Sequence, residues 1–87
     1  MGRINWKEHI IVDSNVHHGE ACIKGTRISV TTIVCSLADG MTSQEIIEAY
    51  PQVSLVDIRA SLAYAAHIMI LLLHFVRSIS FARQAIQ

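Results

Sequence analysis

Three basic residues stand where a small protein could hold a phosphate or a carboxylate: Lys24, Arg27 and Arg59. Arg27 ends a Gly25-Thr26-Arg27 turn that follows a short apolar stretch. The glycine permits a positive φ or a close backbone approach, and a guanidinium can pair with either kind of anion. An ordinary hairpin turn, with Arg27 bonded to the C-terminal end of a helix, explains the same residues. The sequence leaves both interpretations open.

Metal-binding side chains also occur, but their spacing is unfavourable. Ligand types that suit zinc stand close together at His17, His18, Glu20 and Cys22. That spacing matches no recurrent zinc finger or ribbon. His67 and His74 are seven residues apart on one helix, too far for a chelating pair at i and i+4. No Ser/His/Asp arrangement, glycine-rich phosphate loop or carboxylate cluster is present. We therefore expect no metal, no cofactor and no enzymatic activity.

The composition predicts a single domain, residues 1–87, that associates with another chain. The chain is 52% hydrophobic and 16% charged, with a mean hydropathy of +0.41. That is more apolar surface than one small core can hide, so a homodimer or another partner is expected. The formal net charge is zero. A neutral chain lacks the general attraction to nucleic acid that clustered Lys and Arg provide, although a local basic patch remains compatible with it.

Cysteine usage and the apolar segments favour a cytoplasmic protein. Cys22 and Cys35 stand in apolar contexts without CxxC spacing, so both are predicted to be reduced, buried thiols. Residues 1–15 lack the long apolar core and cleavage site of a signal peptide. Residues 62–76 carry no formal charge, but they fall short of the roughly 20 residues needed to span a membrane, and two histidines interrupt them. A buried helix and no membrane partner are therefore predicted.

Two extended stretches and three helices make up the predicted fold. Residues 9–13 form one strand, and residues 21–24 with 27–30 form a second stretch bent at Gly25-Thr26. The two stretches are predicted to pair antiparallel, with Ile11, Ile23 and Ile28 packed on the helices. Helices are predicted at residues 31–39, 43–50 and 55–76. Gly40 suits the position after the first helix, and Pro51 ends the second.

Capping signals mark the starts of the second and third helices. Thr42 with Glu45 forms a capping box, flanked by a staple of Met41 with Ile46. Ser54 with Asp57 repeats the device, with Val53 and Ile58 as the second staple. Apolar residues then alternate spacings of four and three along the third helix, as in helices that pack side by side. We predict that this helix supplies the dimer or partner interface through Leu62, Met69, Leu71, Leu72, Phe75 and Val76.

The second and third helices have the spacing of a helix–turn–helix. A DNA reader presents Arg, Lys, Asn or Gln in the first turns of its second helix. Here those positions hold Ser54, Leu55, Val56, Asp57 and Arg59, which make a poor reading surface. If DNA is bound, Arg59, Arg27 and Lys24 are expected to contact it, with help from Lys7.

Residues 17–66 resemble the bacterial family known as domain of unknown function 433. The motifs are HHGEACIKGTRISV, SLADGMT-x-x-EII-x-x-YP and L-x-D-I-x-A-x-LAYAA. The family tends to have proline where this chain has Ala21 and Ser29. Members commonly continue into a charged helix end, whereas this chain reads HIMILLLHFVRSISFARQAIQ after Ala66. The family-like core is therefore residues 9–66, and residues 67–87 form a divergent apolar helix and tail.

The resemblance implies a mainly α, homeodomain-like and winged-helix-related three-helix fold with a small β-ribbon, usually dimeric. Members are often encoded beside a PIN-like ribonuclease and are regarded as antitoxins. It therefore implies an antitoxin of a type II toxin–antitoxin pair that neutralises a PIN-like ribonuclease toxin and also acts on its own operator DNA. The alternative is a helix–turn–helix transcriptional regulator without a toxin partner. The zero net charge and the Leu55-Val56-Asp57 helix start favour the antitoxin.

Overall fold

The computed structural model describes residues 4–15 and 19–86, with side chains described up to Ile79. A 3₁₀ turn, Trp6–Glu8, precedes strands β1 (Ile10–Ile11) and β2 (Cys22–Ile23). Helices α1 (Val30–Ala38), α2 (Ser43–Ala49) and α3 (Leu55–Ile86) follow. The predicted class, a helical protein with a small β-ribbon, is confirmed.

The β-ribbon is antiparallel, as predicted, but its buried face differs from the prediction. Ile10 pairs with Ile23, and Ile11 pairs with Cys22. Ile10 and Ile23 are buried, whereas Ile11 is 45% exposed. The prediction that Ile11 packs on the helices is wrong, while Ile28 does pack against the core. Three β-branched residues follow one another here, so only the pairing register decides which of them faces inward.

Local signals set most of the helix ends. The side chain of Ser29 accepts a hydrogen bond from the Thr32 amide, so α1 begins at Val30, one residue earlier than predicted. It ends before Gly40, whose φ of +98° is the expected left-handed conformation. Tyr50 is the C-cap of α2, immediately before Pro51. Both ends agree with the sequence-based boundaries to within one residue.

Both predicted capping boxes are present. The Glu45 amide donates to Thr42 Oγ1 at 3.1 Å, and the Thr42 amide donates to Glu45 Oε1 at 3.0 Å. At the start of α3 the Asp57 amide donates to Ser54 Oγ at 3.2 Å, and the Ser54 amide donates to Asp57 Oδ2 at 3.0 Å. These bonds satisfy amides that have no partner within the helix. The bonds with Thr42 also lower the pKa of Glu45 below its ordinary value, because they favour the carboxylate.

The core lies where the ribbon and the three helices meet. Its fully buried side chains include Ile23, Ile33, Ile46, Val53 and Ile58. The N-terminal segment packs against this core through Trp6. The rings of Trp6 and Tyr64 pack edge to face, with centroids 4.9 Å apart. This packing fixes the first three turns of α3 in the domain.

Helix α3 is longer than predicted, and its side chains are exposed after Ala65. It has 32 residues rather than ending at residue 76, and its length is about 48 Å at roughly 1.5 Å per residue. Every described side chain from Ala66 to Ile79 is exposed. The prediction that residues 62–76 form a buried helix is therefore wrong for the single chain. Within the described residues, the segment Leu55–Ile79 is long and apolar enough to cross a membrane by length and composition.

Candidate functional site

The β2–α1 turn and the α2–α3 turn meet on one side of the domain. Gly25, Arg27 and Gln52 line the same shallow hollow. Gly25 has a φ of +79°, as the turn prediction requires. Thr26 then holds the turn closed: its Oγ1 donates to the Ile23 carbonyl at 2.8 Å and accepts from the Ile28 amide at 3.0 Å. The backbone beneath Arg27 is therefore fixed, while its side chain is exposed.

The start of α3 presents an apolar pair to solvent. Leu55 is 46% exposed and Val56 is 43% exposed. The carboxylate of Asp57 is already engaged within the domain. Besides capping α3, its Oδ1 lies 3.1 Å from His9 Nδ1. Because a carboxylate only accepts, that His9 nitrogen carries the proton. The position that a DNA reader uses for base contacts therefore offers aliphatic side chains, and its acid has a structural role.

The three candidate cations are all exposed. Within the described residues, no side-chain hydrogen bond or ion pair holds Lys24, Arg27 or Arg59, so the alternative of Arg27 bonded to a helix end is not observed. Arg59 lies on the second turn of α3, and Lys24 flanks the β2–α1 turn. Sequence reasoning did not single out Gln52, although a polar residue directly after Pro51 marks a solvent-facing turn. We call this set the turn surface: Lys24, Arg27, Gln52, Leu55, Val56 and Arg59.

The two cysteines differ in environment. Both are free, but Cys22 is buried and Cys35 is exposed, so the prediction of a buried thiol is wrong for Cys35. Burial raises the pKa of the Cys22 thiol, and the nearby Glu20 charge adds to the effect. Cys35 lies on α1 beside an apolar hollow that Val34, Ala65 and Ile68 also line. Both cysteines have apolar neighbours in the sequence, so those neighbours did not show which thiol is buried.

In dilute native protein, iodoacetamide is expected to alkylate Cys35 well before Cys22. The thiolate is the reacting form, and both burial and the raised pKa keep Cys22 protonated and inaccessible. Peptide mass spectrometry over time would measure the two rates, with a urea-unfolded sample as the control in which they converge. Equal, rapid modification in the native state would contradict the burial of Cys22.

No group of three potential metal ligands comes together in the described part of the chain. His17 and His18 lie outside the described residues, so the structure does not place them. Cys22 is buried, and its thiol donates to the Glu20 carbonyl at 3.6 Å. The rings of His67 and Trp6 are tilted by 43° to one another, with centroids 5.4 Å apart. The absence of a metal and of a cofactor stays a prediction.

The predicted interface residues are all exposed to solvent in the single chain. Their exposed fractions range from 46% to 71%, in the set Leu62, Met69, Leu71, Leu72, Phe75 and Val76. They are therefore accessible to a partner, which is the condition that an interface requires.

The part of the chain that carries the turn surface also defines its family. Residues 10–65 match the family model described as Protein of unknown function (DUF433). The chain belongs to this family. The match ends at Ala65, where the side chains of α3 become exposed, so the exposed part of α3 lies outside the matched region. No curated protein and no solved structure gives a significant match to the chain.

Proposed function

We propose that this DUF433 protein is an antitoxin, which binds and neutralises a PIN-like ribonuclease toxin through the turn surface. The observation that carries the proposal is the exposed Leu55–Val56 pair at the start of α3. Exposed aliphatic side chains contact another protein more favourably than they contact base edges. This supports a protein partner over DNA for the helix that follows the turn.

The surroundings of that pair also suit a protein partner. Protein interfaces combine an apolar centre with a polar rim in which arginine is enriched. Arg59 follows the pair by one turn, and Arg27 lies beside Gln52 at the preceding turn. Guanidinium groups pair well with carboxylates, so a partner patch with an apolar centre and acidic edges fits this surface. The capping bonds of α3 hold the pair in place before binding, which lowers the entropy that binding must overcome.

A second candidate is a DNA-binding regulator, and the exposed cations favour it. Lys24, Arg27 and Arg59 are available for phosphates in the described structure. Each phosphate contact adds about −0.9 to the dependence of log K on log salt, so three contacts give a shallow slope. Antitoxin activity and repression of the protein's own promoter are compatible with one another.

Co-expression with the adjacent reading frame, followed by pull-down and a ribonuclease assay, tests the antitoxin proposal. We expect Val56→Asp to weaken capture and inhibition by about tenfold or more, because it buries a charge in the interface. Val12→Asp is the matched control, since Val12 is 52% exposed and follows β1, outside the residues of the turn surface. Failure of the wild-type chain to capture or inhibit the neighbouring product would overturn the proposal.

A gel shift with the upstream DNA tests the second candidate, the DNA-binding regulator. If Arg59 touches a base, Arg59→Ala should weaken operator binding by about 1–3 kcal/mol. Loss of the shift in Arg59→Ala, together with a wild-type chain that captures no ribonuclease, would favour the regulator. An unchanged shift in Arg59→Ala would mean that α3 does not read bases.

A further inference from the structure

Helix α3 is long enough to cross a lipid bilayer. The expectation of no membrane partner rests on a short, buried helix at residues 62–76. In the structure α3 continues to Ile86, and its described side chains from Ala66 to Ile79 are exposed. Residues 62–81 supply about 30 Å of helix at roughly 1.5 Å per residue. The hydrocarbon core of a bilayer is also about 30 Å thick. We call residues 62–81 the apolar segment.

The centre of the apolar segment is apolar on every side. Six consecutive apolar residues, Ile68 to Leu73, occupy more than one helical turn and therefore point in all directions around the axis. Their exposed fractions in the single chain range from 36% to 71%. One partner helix covers one stripe and leaves the other sides in water. A helix that is hydrophobic all round requires apolar surroundings on all sides, as in a membrane span.

The polar side chains of the apolar segment lie toward its two ends. The ring of His67 lies 5.4 Å from that of Trp6, at the end beside the domain. Arg77 is the only formally charged residue of the segment, and His74 precedes it by three positions. Arg77 lies about 6 Å from the far end. A long arginine side chain reaches the headgroups over such a distance. The centre of the segment is therefore free of polar side chains.

The charges beyond the centre of the segment suit anionic headgroups. No acidic residue follows Asp57 in the sequence, whereas Arg77 and Arg83 do. Helices that pair in water usually carry both acidic and basic residues beside their apolar stripe. Basic residues without acidic neighbours are attracted to the negative surface of a membrane that contains anionic lipids. The charge of this end therefore favours a lipid surface over a partner helix.

The end beside the domain suits the membrane–water interface. Tyr64 packs on Trp6 there, and these two aromatic types are enriched where a bilayer meets water. Helix α1 flanks the same end, since Val34 and Ala65 line one apolar hollow. The sequence of α1, VTTIVCSLA, contains no charged residue. The parts of the domain nearest the apolar segment therefore carry no charge on α1 and two interfacial aromatic rings.

We propose that α3 enters a lipid bilayer and that the apolar segment crosses it. The domain then lies at one surface, with Trp6 and Tyr64 at the interface. Arg77 and Arg83 contact the headgroups of the opposite surface. The inference is independent of the antitoxin proposal, because the apolar segment contains no residue of the turn surface.

Flotation tests the insertion. The full chain is synthesised in a cell-free system with vesicles of phosphatidylcholine and phosphatidylglycerol. We expect the wild type to float with the vesicles and to remain bound in high salt and alkaline carbonate, because burial of apolar surface holds it there. A wild type that stays at the bottom of the gradient, or that high salt releases, would overturn the proposal.

Two aspartate variants distinguish hydrocarbon from a facing helix. Ile70 and Leu72 are 55% and 57% exposed, and they point to nearly opposite sides of α3 at about 100° per residue. In lipid both sides are buried, so Ile70→Asp and Leu72→Asp should each weaken vesicle binding on the order of a hundredfold. Loss in one variant alone would indicate a protein helix, such as that of a second copy, and overturn the proposal.

The control for these variants places the same charge on the domain. Val12 is 52% exposed, and Val12→Asp should float like the wild type. Cys22 reports the fold, because it is buried in the domain. It should stay protected from iodoacetamide in all three variants. Equal loss of flotation in Val12→Asp would mean that the apolar segment is not what binds the vesicles.

Thiol labelling tests whether the helix crosses the bilayer. In a Cys35→Ser background, Gln84→Cys places a thiol beyond the apolar segment, and Gln44→Cys places one on α2 as the matched control. In intact vesicles a membrane-impermeant maleimide should label the Gln44→Cys chain. The Gln84→Cys chain should react only after detergent opens the vesicles. Equal labelling of both chains in intact vesicles would show that α3 does not cross.

Discussion

Ile58→Ala should lower the free energy of unfolding by about 2–5 kcal/mol. Ile58 is 1% exposed and belongs to the cluster that joins α3 to the ribbon and the other helices. Removing three carbons there loses apolar burial and leaves a cavity, because the surrounding side chains relax only partly. Urea unfolding followed by circular dichroism, at one fixed chain concentration, measures the change. A fixed concentration matters because association stabilises the folded state by mass action.

Ile70→Ala is the matched control, since it makes the same substitution on the same helix. Ile70 is 55% exposed and lies outside the buried core. Its truncation should change the free energy of unfolding by no more than about 0.5 kcal/mol. Similar losses in the two variants would mean that the first turns of α3 are not part of the core.

Asp57→Ala should lower the free energy of unfolding by about 1–3 kcal/mol. The change removes the acceptor for the Ser54 amide and the partner of His9 Nδ1. Asp57 ties the start of α3 to the N-terminal segment, forty-eight residues away in the chain. Thermal and urea unfolding of the variant measure the loss. Glu48→Ala, at an exposed carboxylate on α2, is the control and should have little effect.

Two further variants divide the Asp57 effect between its contacts. Asp57→Asn keeps an oxygen that can accept from the Ser54 amide, so its loss should be smaller than that of Asp57→Ala. His9→Ala removes only the long-range contact, which is part-buried at 3.1 Å. If His9→Ala is neutral while Asp57→Ala is costly, the capping bonds account for the effect. Stability unchanged in Asp57→Ala would contradict both roles.

Features that depend on neighbours in the chain were predictable from the sequence. The capping boxes of Thr42 and Ser54 join residues three apart, so residue types and spacing are enough to specify them. Gly40 takes the left-handed conformation because few other residues adopt it without strain. The starts of the three helices and the ends of α1 and α2 follow from such short-range interactions, whereas the end of α3 was predicted ten residues too early.

The candidate site was predictable only in part. The sequence named Arg27, Arg59 and the aliphatic start of α3, since each is a matter of residue type. It did not show that the β2–α1 turn lies beside Gln52, a residue from a turn more than twenty positions later. That neighbourhood exists only once the helices have packed around Ile33 and Ile46.

The sequence alone determined which residues are apolar, and only the tertiary structure decided which of them are buried. Ile10 and Ile11 are the same residue type in the same strand, and the ribbon register buries one and exposes the other. Cys22 and Cys35 divide in the same way. The apolar half of α3 was recognisable from its periodicity, but its side chains are exposed in the single chain, because the buried part of the core ends at Ala60 and Ser61. Burial depends on contacts between distant residues, and no local pattern contains them.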